Sequence, residues 1–108
     1  MSSYILSPEA EADLREIAKY TKRNWGDVQA RKYQAQLVAA IEALAAGKAR
    51  GKDLNSVPGM KMMRCEHHYI FCRILNGTTP EIYAVFHEKM DLIARLAERI
   101  SDPQMPFS

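Results

Sequence analysis

Lys48, Arg50, Lys52, Lys61, Arg64 and Arg73 fall within 26 residues, opposed there only by Asp53 and Glu66. Such a concentration of fixed cations attracts polyanions whatever the net charge. His87 and Lys89 follow at the end of an apolar run. Cations beside a histidine have one obvious chemical use, which is to stabilise the phosphorane-like transition state of RNA cleavage. They serve equally as a docking patch, or as a solvated loop and strand edge.

Other chemistries find less support. Cys65, His67, His68 and Cys72 are ligand types for a metal, but alternation along a strand is expected to send Cys65 and His68 to opposite faces. His87-Glu88-Lys89-Met90-Asp91 lacks the second histidine of the zinc-protease signature, since position 91 is aspartate. No paired carboxylates, glycine-rich phosphate loop or nucleophile elbow is present, and no cofactor is expected. The two cysteines read as buried structural thiols in a reducing cytoplasm.

These residues need a scaffold. Met60–Cys65, Tyr69–Leu75 and Glu81–His87 read as three successive strands, rich in β-branched and aromatic side chains. Asn76-Gly77 supplies the left-handed backbone of a tight reversal. Upstream, Tyr4-Ile5-Leu6 is a short strand candidate. Ser7-Pro8 then caps and starts a helix to about Asn24, with Ala10, Leu14, Ile17, Thr21 and Trp25 as its apolar stripe. Gly26 turns the chain and Asp27 is expected to cap a second helix, striped by Ala30, Tyr33, Leu37, Ile41 and Leu44 and ending near Gly47. So short a link makes the two helices an antiparallel hairpin, with Trp25 a core anchor at its tip. Residues 48–59 read as loop. A last helix follows Met90, with Ile93, Leu96, Ala97 and Ile100 on its apolar side, and residues 101–108 form a tail.

The expected fold is therefore α+β: an N-terminal strand, an antiparallel helical hairpin packed on an antiparallel β-meander, and a short C-terminal helix. At 108 residues with net charge +2 and 47% hydrophobic composition, the chain suits one domain, residues 1–100, with a core of its own. It carries no apolar run of membrane-spanning length and no secretory start.

Tyr4-x-Leu-Ser-Pro-Glu-Ala-Glu-x-Asp-Leu-x-x-Ile, Tyr20, Trp25-Gly26, Ala30-x-x-Tyr33, Pro58-Gly59-Met60-Lys61, Tyr69-Ile-Phe-x-Arg73 and Val85-x-His87-Glu88-x-Met-Asp91 together resemble the ParE toxins of the RelE/ParE superfamily. The likeness runs over about residues 3 to 100. It implies a toxin of a type II toxin–antitoxin module that traps DNA gyrase on cleaved DNA, without chemistry of its own. It also implies a cognate antitoxin, ParD-like, whose ribbon-helix-helix part binds operator DNA and whose C-terminal segment wraps the toxin. RelE-like relatives instead cut mRNA on the ribosome, using a tyrosine or histidine near the C-terminus that this chain lacks, although Arg64 falls near where they keep an arginine. On the leading reading Arg64, Arg73, His87 and Lys89 face the target from one sheet end.

Antitoxin contacts are expected at Leu14, Ile17, Trp25, Tyr33, Leu37 and Ile41. The hairpin is expected to cover only one face of the sheet, leaving apolar residues of both parities in the last two strands for the partner. Arg15, Lys19, Lys22, Arg23, Arg31 and Lys32 on the outer helix faces call for an acidic antitoxin segment.

Overall fold

The computed structural model describes residues 4–54, 57–75 and 77–100. The chain runs β1 (Ile5–Leu6), α1 (Pro8–Trp25), α2 (Asp27–Ala45), β2 (Lys52–Asp53), β3 (Met60–Cys65), β4 (His68–Arg73), β5 (Glu81–His87) and α3 (Leu92–Ile100). The sheet order is β1-β5-β4-β3-β2. The meander is antiparallel, whereas β1 runs parallel to β5, Ile5 opposite Glu81 and Leu6 opposite Ile82. The α+β architecture is the expected one.

Local chemistry explains the helix starts. Ser7 Oγ accepts from Ala10 N–H at 3.0 Å and Pro8 takes the first helical position, where its missing N–H costs nothing. Gly26 turns the chain at φ 91° and itself occupies the cap position of α2. Asp27, expected as that cap, makes no side-chain cap bond and pairs with Lys22 at 3.4 Å instead. Asp91 caps α3, its Oδ1 accepting from Ala94 N–H.

Two apolar layers enclose the sheet. On one side Ala10, Leu14, Tyr33, Leu37, Ile41 and Leu44 pack on Ile70, Cys72, Ile82 and Val85. On the other, Met60, Phe71, Tyr83, Ala84 and Phe86 lie under Leu96 of α3, with Leu92, Ile100, Leu54 and Val57 at the margins. The second face is thus covered by the chain's own α3 and loop, which corrects the expectation that it awaits a partner. A β-bulge reconciles the mixed parity of β5. Phe71 pairs with Ala84 and Cys72 with Ile82, leaving Tyr83 as the extra residue. Ile82 and Val85 can therefore share the hairpin side while Tyr83, Ala84 and Phe86 share the other.

Other boundaries differ from the sequence reading. β4 begins one residue earlier and its ladder stops at Arg73, opposite Met60 and Glu81, although one further bond, Ile74 N–H to Gly59 O at 2.8 Å, prolongs the contact towards β3. β2 lies in the expected loop, and its two residues are exposed, so no periodicity announced it. On α3 the inward residues are Leu92, Leu96 and Ile100, whereas Ile93 is 60% exposed. Trp25 is 71% exposed rather than a core anchor, and every residue of the hairpin tip from Lys22 to Gln29 is exposed with it, so no other element covers the tip. Asn76 and the tail lie outside the described residues. No helix among the described residues is long and apolar enough to cross a membrane.

Candidate functional site: a histidine cluster at the sheet end

The turn between β3 and β4 has two residues, Glu66 and His67. Glu66 takes φ 54°, a left-handed conformation that side chains other than glycine's resist. Two side chains hold it. Arg64 Nε donates to Glu66 O at 2.9 Å, and the Tyr33 hydroxyl, reaching from α2, accepts from His67 N–H at 3.2 Å. That hydroxyl lies 2.6 Å from His68 Nδ1. Burial favours the neutral imidazole, and in the tautomer protonated on Nε2 the hydroxyl donates its proton to Nδ1.

Around this turn three imidazoles gather. His68 faces His87 across the β4–β5 ladder, edge to face at 5.0 Å between ring centroids. His67 stacks on His87 at 6.5 Å and 17°. Glu88 ties the outer layer together, with Oε1 accepting from Arg64 Nη2 at 2.6 Å and Oε2 lying 2.9 Å from His67 Nδ1. His87 Nδ1 accepts from Lys89 N–H at 3.1 Å. Burial, then the neighbouring His87 and His67, push His68 down to about 4. The hydrogen bond from His67, with Arg64 nearby, holds Glu88 below its usual range. Burial raises the Tyr33 phenol.

Arg64, His87 and Lys89 therefore do meet at one sheet end. Arg73 does not; it lies at the far end of β4, opposite Glu81 and Met60, which corrects its placement with the others. Cys65 and His68 are direct cross-strand partners, and such partners share a face, so the expectation of opposite faces was wrong. Among the described residues no three of His, Cys, Asp and Glu are placed to hold a metal. Tyr33, His67, His68 and Glu88 were missed as a group. The adjacent histidines were visible in sequence, but only the tertiary approach of α2 and β5 joins them.

The six residues expected to face an antitoxin divide. Leu14, Tyr33, Leu37 and Ile41 are at most 9% exposed, and their side chains belong to the chain's own core. Ile17 is partly buried and Trp25 exposed.

A concavity of about 460 Å³ opens beside the same cluster, between α1 and α3 over the end of β5, with His68 and His87 in its lining. Its walls are latched by Asp13 and Arg99. The guanidinium bonds Asp13 Oδ2 at 2.9 Å and Oδ1 at 3.3 Å, and lies 4.8 Å above the Phe86 ring. Asp13 Oδ2 also accepts from Val85 N–H at 3.0 Å, and Arg99 donates to Tyr83 O at 3.3 Å. One ion pair thus stands in for the strand that β5 lacks beyond β1.

Known proteins place this architecture. The family model described as "ParE toxin of type II toxin-antitoxin system, parDE" matches residues 4–92. Toxin ParE of Escherichia coli is 50% identical over 101 residues, covering 93% of this chain and 98% of that protein. Toxin ParE1 of Caulobacter vibrioides is 36% identical over 97 residues, covering 89% and 99%. In structure, a chain of the "Chromosomal ParDE TA system from P. aeruginosa" superposes with a TM-score of 0.68 at 23% identity, covering 81% of this chain and 96% of that one, a likeness of fold. With a family match across the helical hairpin and the whole sheet, and relatives aligned almost end to end, this chain belongs to the ParE toxin family of type II toxin–antitoxin systems.

Proposed function

We propose that the chain is a toxin that inhibits DNA gyrase by docking, without catalysis, and is neutralised by a cognate acidic, ParD-like antitoxin that carries the operator-binding function. Family membership supports the toxin role. The observation that carries the non-catalytic reading is the state of Arg64. Its guanidinium sits 2.6 Å from Glu88, whose other oxygen meets His67, so this cation beside the histidines already faces a carboxylate. A group meant to stabilise a phosphorane would have to give up that partner first. As a docking surface, Arg64, His67, His87 and Lys89 present polar, charged groups on a turn held rigid by Tyr33. Arg73, at the other end of β4, would make a separate contact.

The antitoxin would lie along the outer face of the hairpin, meeting Trp25 and the cations of α1 and α2, and would reach Ile17 only by way of the concavity between α1 and α3. It would not meet Leu14, Tyr33, Leu37 or Ile41. An interface of about 2,000 Å² would place the pair in the large-interface class.

A second reading, ribosome-dependent mRNA cleavage, draws on the two imidazoles stacked 6.5 Å apart beside Arg64 and Lys89. Supercoiling and cleavage assays with purified gyrase, run beside toeprinting of translated mRNA, separate the two. Inhibited supercoiling with intact mRNA is expected. Codon-phased mRNA cuts with unaffected gyrase would overturn the docking reading.

A further inference from the structure

The tip of the helical hairpin is unused by the site above. Every residue from Lys22 to Gln29 is exposed, and this run carries Trp25 at 71% and Val28 at 80% exposure. Trp25 is the only tryptophan in the chain. At about 100° per residue, Lys19, Lys22 and Arg23 lie roughly 100–200° round α1 from the buried Thr21. Arg31, Val28 and Lys32 lie at the same angles round α2 from the buried Ala30, so both sets point away from the sheet. Five cations on this face oppose two carboxylates, Glu16 and Asp27, which make only loose surface contacts of 3.7 Å to Lys19 and 3.4 Å to Lys22. Arg23, Arg31 and Lys32 make no ion pair among the described residues.

We propose that this tip and outer face bind single-stranded nucleic acid, with Trp25 as a base-stacking platform and the cations of both helices tracking the phosphates. An aromatic ring beside a basic track is the arrangement that holds unpaired strands, since every base has a π-face to stack. A duplex hides those faces. A protein partner held by the tip alone is disfavoured by area: two apolar side chains fall well short of the roughly 800 Å² per partner of a stable interface. A bilayer needs an apolar helix face, and here that face carries the cations. The inference does not depend on gyrase as target. An acidic antitoxin on the same face would displace the strand, so the surface is open only in the unneutralised chain.

The full chain offers its own reporter. Titration with a thymidine or uridine oligonucleotide of about 16 nucleotides should quench Trp25 emission, the two arms telling DNA from RNA as the source. With about four phosphate contacts, affinity should fall about twentyfold between about 50 and 150 mM salt. Followed by anisotropy of a labelled oligonucleotide, Trp25→Ala should weaken binding about tenfold, and Trp25→Phe should restore most of it. Lys22→Glu with Arg23→Glu should weaken it by at least about tenfold. All these positions are exposed, and circular dichroism checks that the variants fold. Absence of quenching overturns the proposal, as does binding that the tip variants leave unchanged. An emission shift produced by phosphatidylglycerol vesicles and not by oligonucleotide does the same.

Discussion

Tyr33 on α2 and His68 at the start of β4 share a hydrogen bond of 2.6 Å, buried between the helical hairpin and the sheet. It is the polar link between the scaffold and the turn that presents His67. Tyr33→Phe would remove it and strand both His68 Nδ1 and His67 N–H. The expected loss is about 1–3 kcal/mol in urea denaturation. A change below about half a kcal/mol would mean that water replaces the hydroxyl at no cost.

The burial of His68, with His87 and His67 beside it, sets a pH dependence. His68 is held at about 4 in the folded chain, against an ordinary value of 6.5, so the unfolded chain binds the extra proton between those limits. Stability from this group is complete above about pH 6.5, falls as pH drops towards about 4, and levels off below that. The span corresponds to about 3 kcal/mol as an order of magnitude. His68→Gln should flatten this part of the profile in denaturant melts taken across the range.

Asp13 and Arg99 latch α3 over the sheet. Asp13→Ala leaves Arg99 without its carboxylate and Val85 N–H without its acceptor, and should cost about 2–4 kcal/mol. Hydrogen exchange should quicken at Val85 and along α3 while α2 stays protected. Uniform protection in the variant would show that apolar packing of Leu96 alone holds the helix.

Glu66 stands in a glycine conformation with only its backbone oxygen engaged by Arg64. Glu66→Gly should raise stability by about 1 kcal/mol by relieving the left-handed strain. A lower melting temperature would mean that the carboxylate makes up for it.

The thiols should differ in reach. Cys72 is fully buried, and burial raises it to about 11, so it should resist iodoacetamide until the chain unfolds. Cys65, partly exposed, should react first, though burial raises it too. Equal native rates at both would mean that β4 opens readily.

Long periodic segments were legible in sequence, because an amphipathic stripe such as Ala30, Tyr33, Leu37, Ile41 and Leu44 reports burial directly. The Ser7-Pro8 start was legible for a local reason, since cap and helix lie within a few residues. What stayed hidden depends on distant chain. Nothing near Trp25 says that no other element covers the hairpin tip. The alternation rule failed at Tyr83 because a bulge shifts phase without changing composition. It was misapplied at Cys65 and His68, which face each other across a turn and do not follow one another on one strand. Of the site, Arg64, His87 and Lys89 could be read as neighbours from the meander. Tyr33 and Glu88 could not, since their roles come from contacts across 35 residues to His68 and 24 to Arg64.

β5 pairs with a strand at residues 5–6 and is sealed by an arginine at residue 99. During synthesis at about 5–20 residues per second, the helical hairpin can form from its own local contacts seconds before β5 exists. The sheet cannot close until nearly the whole described chain has emerged, and the loops that must then close are among the longest the chain allows. Until that moment the apolar undersides of α1 and α2 have no sheet to rest on. A newborn chain therefore passes through an interval in which it is sticky but still lacks the assembled sheet end, and whatever first covers those helices meets the protein before it is complete.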